Sequence, residues 1–199
     1  MKREPEKWAK QYEETGYLVV EDVVDKQTLQ TLRTEVERIT TNPYANQELV
    51  RWIDFEKTYV KANPGHNDFT ADQVGNAIRN LLELPLFDPF FADFICYEPL
   101  LDVLQTLFGS TDFAFFNYKC IIKAPRVSSS FRWHRDLPYL DHSTPNLITA
   151  MLCLDDMTEA NGATVVMPGT HRVPHEAVTN ADMNIPDEKL PPGEKVTVC

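Results

Sequence analysis

A histidine and an aspartate two residues apart, His134 and Asp136, are the pair in this sequence with the clearest chemical potential. In an extended strand the side chains at i and i+2 point to the same side, so both could reach one metal ion while Trp133 and Arg135 point away. One imidazole and one carboxylate are two of the three ligands in the 2-His-1-carboxylate triad that holds non-haem Fe(II). Taken alone, such a pair is more often an exposed ion pair, because surface pairs of this kind are common.

Apolar runs that end in polar or turn-forming residues lie on both sides of this pair. The run NYKCIIKAP at 117–125 precedes it, and LCLDDMTEANGA at 152–163 leads into the turn MPGTHR at 167–172. His171 and His175 are four residues apart and could share a metal on a helix, but Pro174 disfavours a regular helix there. We therefore interpret these two histidines as polar turn residues.

The elements that must position these groups begin with helices. A helix is predicted at 4–14, ended by Gly16, and a second one starts after Asp25, which is a good N-cap. Asp88-Pro89 is a typical start for a third helix. The second helix has apolar residues at helical spacing that predict a buried stripe: Leu29, Leu32, Val36 and Ile39.

The second half of the sequence has the character of strands. A short strand is also predicted at 17–20, whereas the irregular, polar region 42–76 reads as an insertion or lid, with an ordinary surface loop as the alternative. Helices followed by strands favour an α+β fold. The predicted strands of the second half are 113–124, 147–154, 163–167 and 195–198.

Composition limits the function classes. The 199 residues carry a net charge of −11, which argues against nucleic acid and anionic membranes as partners because both need a basic surface. The four cysteines are widely spaced and are predicted to be reduced and packed as small hydrophobes. The sequence shows neither a signal peptide nor an apolar run of about 18 residues, so a cytoplasmic, soluble protein is expected.

Taken together, these segments resemble the phytanoyl-CoA dioxygenase-like family of Fe(II)/2-oxoglutarate oxygenases. The family pattern is a W/P-H-x-D, then a strand that ends D-D-x-x-x-x-N-G, then a strand that ends P-G-S-H. Here the elements read WHRDLPY, DDMTEANG and PGTHR, in the family order and at similar spacing. The opening GYLVV ahead of an amphipathic helix also fits, so the resemblance runs from about residue 8 onward.

The resemblance implies a double-stranded β-helix, a jelly-roll barrel of the cupin type, with N-terminal buttressing helices. Its helical part would cover about 1–110 and its barrel strands about 111–199 of a single domain. His134 and Asp136 would be two iron ligands, and Lys119 and Met151 would lie near the 2-oxoglutarate pocket. His171 would be a polar neighbour and not an iron ligand.

The activity that the resemblance implies is hydroxylation of a small-molecule substrate with Fe(II), 2-oxoglutarate and O₂. Halogenating relatives leave the carboxylate position open for chloride, so Asp136 favours hydroxylation. Family members usually bring a second His on a late strand as third iron ligand and, shortly after it, an Arg for 2-oxoglutarate. No His and no Arg follows His175 before the sequence stops at Cys199.

The sequence is therefore expected to be a C-terminally incomplete domain that lacks its last strands. This truncated chain would be inactive or have impaired activity. An open sheet edge would favour self-association. Two alternatives remain open at this point: a non-catalytic β-barrel module that binds a ligand or a partner chain, and a cupin-like metal enzyme of another chemistry, such as an isomerase.

Overall fold

The computed structural model describes residues 2–64, 68–140, 144–180 and 183–198. Short 3₁₀ turns at 50–52, 84–86, 159–161, 170–172 and 187–189 connect its regular elements. The helices are α1 (Pro5–Thr15), α2 (Lys26–Thr41), α3 (Glu56–Ala62), α4 (Ala71–Val74), α5 (Pro89–Ile95), α6 (Glu98–Phe108), α7 (Leu137–Leu140) and α8 (His175–Val178). The strands are β1 (Ile53–Phe55), β2 (Ile78–Leu82), β3 (Lys119–Ile121), β4 (Val165–Val166) and β5 (Val196–Thr197).

The chain divides into two compact units. Unit 1 consists of residues 1–21, 103–109 and 131–199, and unit 2 consists of residues 22–102 and 110–130. Both therefore combine segments that are far apart in the sequence. The mixture of helices and short sheets is consistent with the predicted α+β class.

Unit 2 is built around a three-stranded antiparallel sheet in the order β1-β2-β3. Leu81 of β2 pairs with Ile53 on one side and Cys120 on the other, and its side chain is fully buried. Phe91 of α5 is also fully buried and contacts the Tyr118 ring edge-on, with 5.9 Å between the ring centroids. These apolar groups form the core of the unit.

A buried ion pair lies in the same unit. Glu56 at the start of α3 is 0% exposed, and its Oε1 accepts a hydrogen bond of 3.1 Å from Nη1 of Arg79, which is 4% exposed. The hydroxyl of Ser128 and the backbone N–H of Ser129 donate to the same oxygen, at 3.2 and 3.3 Å. The Arg79 guanidinium also donates to the Ser129 carbonyl and lies 3.9 Å from the centre of the Tyr59 ring. Arg79 thus both balances the Glu56 charge and connects three segments of the unit.

Unit 1 contains the antiparallel pair β4-β5, in which Val165 faces Thr197 and Val166 faces Val196. Helix α1 also belongs to this unit. The described residues form two separate small sheets and not a closed barrel, so the jelly-roll prediction is not confirmed at this level of detail. Among the helices of these residues, none combines the length and apolar character needed to cross a bilayer.

Several local predictions are wrong. Residues 17–20 and 147–154 are not strands, because β structure requires a hydrogen-bonding neighbour that apolar spacing does not reveal. Region 42–76, which the sequence analysis interprets as an insertion or lid, includes regular elements among its described residues: it supplies β1, α3 and α4, and β1 is an edge of the three-stranded sheet. Cys96 and Cys153 are exposed free thiols and not packed hydrophobes.

Helix α1 ends as predicted, with Gly16 in the left-handed region at φ 82° and its N–H donating to Tyr12 O at 2.8 Å. A Cβ at Gly16 would clash with the imidazole of His171. Gly109 has a similar φ of +64° but no heavy atom within 4 Å of an added Cβ.

These two glycines separate backbone strain from a steric clash. We expect Gly109→Ala to lower the free energy of unfolding by about 1–2 kcal/mol, the cost of a left-handed non-glycine residue, and Gly16→Ala to lower it further. Denaturant unfolding of both variants measures the difference. Equal losses would show that the contact between Gly16 and His171 is not tight in solution.

Helix α2 begins at the predicted N-cap. The Asp25 carboxylate accepts hydrogen bonds from the backbone N–H groups of Gln27 and Thr28, both at 2.9 Å, and from the Thr28 hydroxyl at 2.6 Å. The Thr28 hydroxyl, followed by its backbone N–H, lowers the pKa of Asp25 to about 2. Of the predicted stripe, Leu32 and Ile39 are buried, whereas Leu29 and Val36 are half-buried.

This cap predicts a dependence of stability on acid pH. Because folding lowers the pKa of Asp25 from about 3.9 in an unfolded chain, its ionised form stabilises the fold above that value. The stabilisation is lost as the pH falls toward the folded-state pKa of about 2. Asp25→Asn keeps a capping oxygen but loses the charge. The difference in thermal unfolding midpoint between the wild type and this variant should therefore become smaller as the pH is lowered from about 5 to about 2. A constant difference in thermal unfolding over that range would contradict the assignment.

Candidate metal site

The predicted pair His134 and Asp136 lies in unit 1 on a short extended segment. His134 forms an isolated antiparallel bridge with Asn184, and the Ile185 N–H donates to Trp133 O at 2.7 Å. Helix α7 starts directly after Asp136. This extended conformation gives the side chains of residues 134 and 136 a common side, and His134 Nε2 lies 3.5 Å from Asp136 Oδ1.

The tautomer of His134 follows from the hydrogen bond of its second ring nitrogen, Nδ1. His134 Nδ1 is 2.7 Å from the Arg132 carbonyl oxygen. A carbonyl can only accept, so Nδ1 carries the proton and, in the neutral ring, Nε2 holds a lone pair. A hydrogen bond of this kind, from the far nitrogen to a backbone carbonyl, is the usual way in which a metal-binding histidine is oriented.

The Asp136 carboxylate is oriented by a residue that sequence reasoning missed. The Thr149 hydroxyl donates to Asp136 Oδ2 at 2.6 Å, while Oδ1 is the oxygen closest to the imidazole. Thr149 follows Asp136 by thirteen residues, and no local pattern connects the two. Only the folded chain brings them together.

The side chains that flank the pair point elsewhere, as strand alternation predicts. The Arg135 guanidinium donates to the backbone carbonyls of Thr170, at 2.6 Å, and Val173. Burial lowers the pKa of Arg135, and the charge of Glu176 partly offsets that effect. The Lys195 ammonium lies 5.2 Å from the centre of the Trp133 ring. Arg135 therefore fixes the backbone on which both candidate ligands are mounted.

The donor set suits a divalent cation. With a neutral imidazole, His134 Nε2 and Asp136 Oδ1 are two acceptor atoms that face each other, an arrangement that a cation between them would stabilise. Two ligands about 2.1 Å from one ion and about 90° apart lie about 3 Å from each other, close to the 3.5 Å observed. The side chains are 36% and 43% exposed, so the site is open to solvent.

A third ligand does not join this pair within the described residues, where His, Cys, Asp and Glu form no metal-binding group of three or more. His171 instead contacts the end of α1, with Nε2 3.1 Å from Glu13 O. The Gly169 N–H and the Arg172 guanidinium also bond carbonyls of that helix end, those of Thr15 and Glu13, both at 2.7 Å. The PGTHR turn therefore has a structural role in closing the C-terminal end of α1.

The two predicted cofactor residues belong to different units. Lys119 is exposed on β3 of unit 2, where it pairs with Leu82. Met151 is 48% exposed in unit 1, and its sulfur accepts from the Thr164 hydroxyl at 3.5 Å. Their assignment to 2-oxoglutarate stays a prediction.

Comparison with known proteins extends these observations. The family model described as phytanoyl-CoA dioxygenase (PhyH) matches residues 12–192. The chain is 25% identical over 177 residues to a probable phytanoyl-CoA dioxygenase of Caenorhabditis elegans, covering 83% of this chain and 53% of the relative. It is 23% identical over 165 residues to an ectoine dioxygenase of Bordetella parapertussis, covering 81% and 47%.

A third, shorter match is also to a protein named as a dioxygenase. A probable alpha-ketoglutarate-dependent hypophosphite dioxygenase of Stutzerimonas stutzeri is 29% identical over 75 residues, which are 38% of this chain and 26% of that protein. The chain spans about half the length of the first two relatives. The family match, in contrast, covers nearly the whole chain and includes every candidate site residue. This chain belongs to the phytanoyl-CoA dioxygenase family.

Proposed function

We propose that this chain belongs to an Fe(II)- and 2-oxoglutarate-dependent dioxygenase that hydroxylates a small molecule. The observation that carries the proposal is the facing pair His134 Nε2 and Asp136 Oδ1, 3.5 Å apart and each oriented by a separate hydrogen bond. Bound Fe(II) and 2-oxoglutarate would supply O₂ activation and C–H hydroxylation. The names of the relatives support dioxygenase chemistry, and one of those names includes alpha-ketoglutarate dependence.

In this proposal, His134 and Asp136 hold the metal, while the assignment of Lys119 and of Met151 to 2-oxoglutarate stays a prediction from the family resemblance. Arg135 holds the ligand segment on the 170–173 turn, which keeps both donor atoms on one side. Both units would be parts of one domain of the double-stranded β-helix type, since the family match runs through both.

A second candidate is a non-catalytic binding module that acts through a partner chain. The specific observation in its favour is that the described residues hold no group of three metal-ligating side chains. In this case β3, an edge of the three-stranded sheet in the described chain, would offer backbone groups for pairing with a partner or with a second copy.

An anaerobic titration with Fe(II) and 2-oxoglutarate distinguishes the two candidates. A dioxygenase site that holds both should develop a visible metal-to-ligand charge-transfer band, and admission of O₂ should then convert 2-oxoglutarate to succinate. A protein that shows neither signal at millimolar concentrations of both, while it remains folded by circular dichroism, would favour the binding module.

A further inference from the structure

We propose that Thr149 is a positioning residue that restricts Asp136 to one metal-facing oxygen. The inference rests on the proposed metal function of His134 and Asp136, and it adds a residue for which the WHRD, DDMTEANG and PGTHR motifs provide no role. It concerns how the carboxylate binds, and not which groups are ligands.

The geometry separates the two carboxylate oxygens. Oδ2 receives the Thr149 hydroxyl proton at 2.6 Å, whereas Oδ1 is 3.5 Å from His134 Nε2. A hydroxyl that donates to an ionised carboxylate at this distance is among the stronger hydrogen bonds in proteins. It therefore holds the carboxylate plane so that Oδ1, and not Oδ2, faces the imidazole.

Thr149 suits this role because its side chain has few alternatives. A β-branched residue has a stiff χ1, so little rotamer freedom remains to be lost when the hydroxyl is fixed on Asp136. On the other side of the pair, the Arg132 carbonyl fixes the imidazole in the same way. The two donor atoms are thus oriented independently, one by a backbone group and one by a side chain.

Two substitutions separate the effect of the Thr149 hydroxyl from the effect of side-chain size. Thr149→Val keeps the size and branching of the side chain but removes the donor, so that Asp136 can rotate and offer both oxygens to a cation. Thr149→Ser keeps the donor and loses only a methyl group. Any effect that Val produces and Ser does not is attributable to the hydrogen bond.

The test is a Co²⁺ titration of the full chain, followed by visible absorption. Hydrogen-bonding partners of metal ligands typically contribute 10–100-fold to metal affinity. Since Thr149 is exposed, we expect Thr149→Val to weaken Co²⁺ binding by about 10-fold, at the low end of that range. The intensity of its d–d bands should also change, because bidentate binding by Asp136 would replace a bound water and distort the ligand geometry. Thr149→Ser should bind within about 3-fold of wild type, with the wild-type spectrum.

The outcomes distinguish this inference from the proposed function. If wild type binds Co²⁺ and Thr149→Val matches it in both affinity and band intensity, the positioning role is refuted while the metal site stands. If wild type itself binds no Co²⁺ at millimolar concentration, both the metal site and the role of Thr149 fail. Circular dichroism of each variant confirms that the compared proteins are folded.

Discussion

Arg79→Met should lower the free energy of unfolding by about 3–5 kcal/mol, the range for breaking one partner of a buried ion pair. The substitution leaves the Glu56 carboxylate fully buried without its opposite charge. Glu56 Oε2 is already buried without a hydrogen-bond partner in the described chain, so the ion depends on the groups around Oε1. Denaturant unfolding followed by circular dichroism measures the loss.

An exposed arginine provides the matched control. Arg38 pairs with Glu35 at 2.7 Å and Asp88 at 3.2 Å, but its side chain is 52% exposed. Because water screens exposed pairs, Arg38→Met should cost less than about 1 kcal/mol. Similar losses for Arg79→Met and Arg38→Met would mean that the Glu56–Arg79 pair is hydrated in solution and not buried.

His134→Ala and Asp136→Ala should each abolish the binding of Fe(II) or Co²⁺, together with any metal-dependent conversion of 2-oxoglutarate to succinate. Each substitution removes one of two facing donor atoms, and a single exposed side chain holds a divalent cation too weakly for detection. Spectroscopic titration measures binding, and succinate formation measures turnover.

His175→Ala is the control for these two variants. The imidazole of His175 is 42% exposed and its Nδ1 lies 3.3 Å from the Glu176 carboxylate. It should keep the binding and turnover of wild type. If Asp136→Ala and His134→Ala also keep them, the proposed dioxygenase site is refuted and the binding module becomes the better interpretation.

Local signals explain what could be predicted. The caps Gly16, Asp25 and Asp88 lie at the predicted helix ends because each satisfies backbone groups within a few residues. The common side of His134 and Asp136 follows from strand periodicity alone. Both kinds of inference require only neighbours in the sequence.

Non-local partners explain what could not be predicted. Glu56 lies in the polar region 42–76, and its burial depends on Arg79, 23 residues away, and on donors from Ser128 and Ser129. Thr149 reaches Asp136 across thirteen residues with no motif between them. The strand predictions at 17–20 and 147–154 failed for a related reason, because apolar spacing does not show whether a hydrogen-bonding neighbour is present. The predicted ranges 113–124, 163–167 and 195–198 do contain β3, β4 and β5.

The contacts at the end of α1 have a consequence for the order in which this protein matures. The Glu13 carbonyl is bonded by His171 and Arg172, 158 and 159 positions later. The end of this helix is therefore covered only after those residues have been synthesised, and contacts of such long range slow folding. We expect the end of α1 to stay exposed until late in folding.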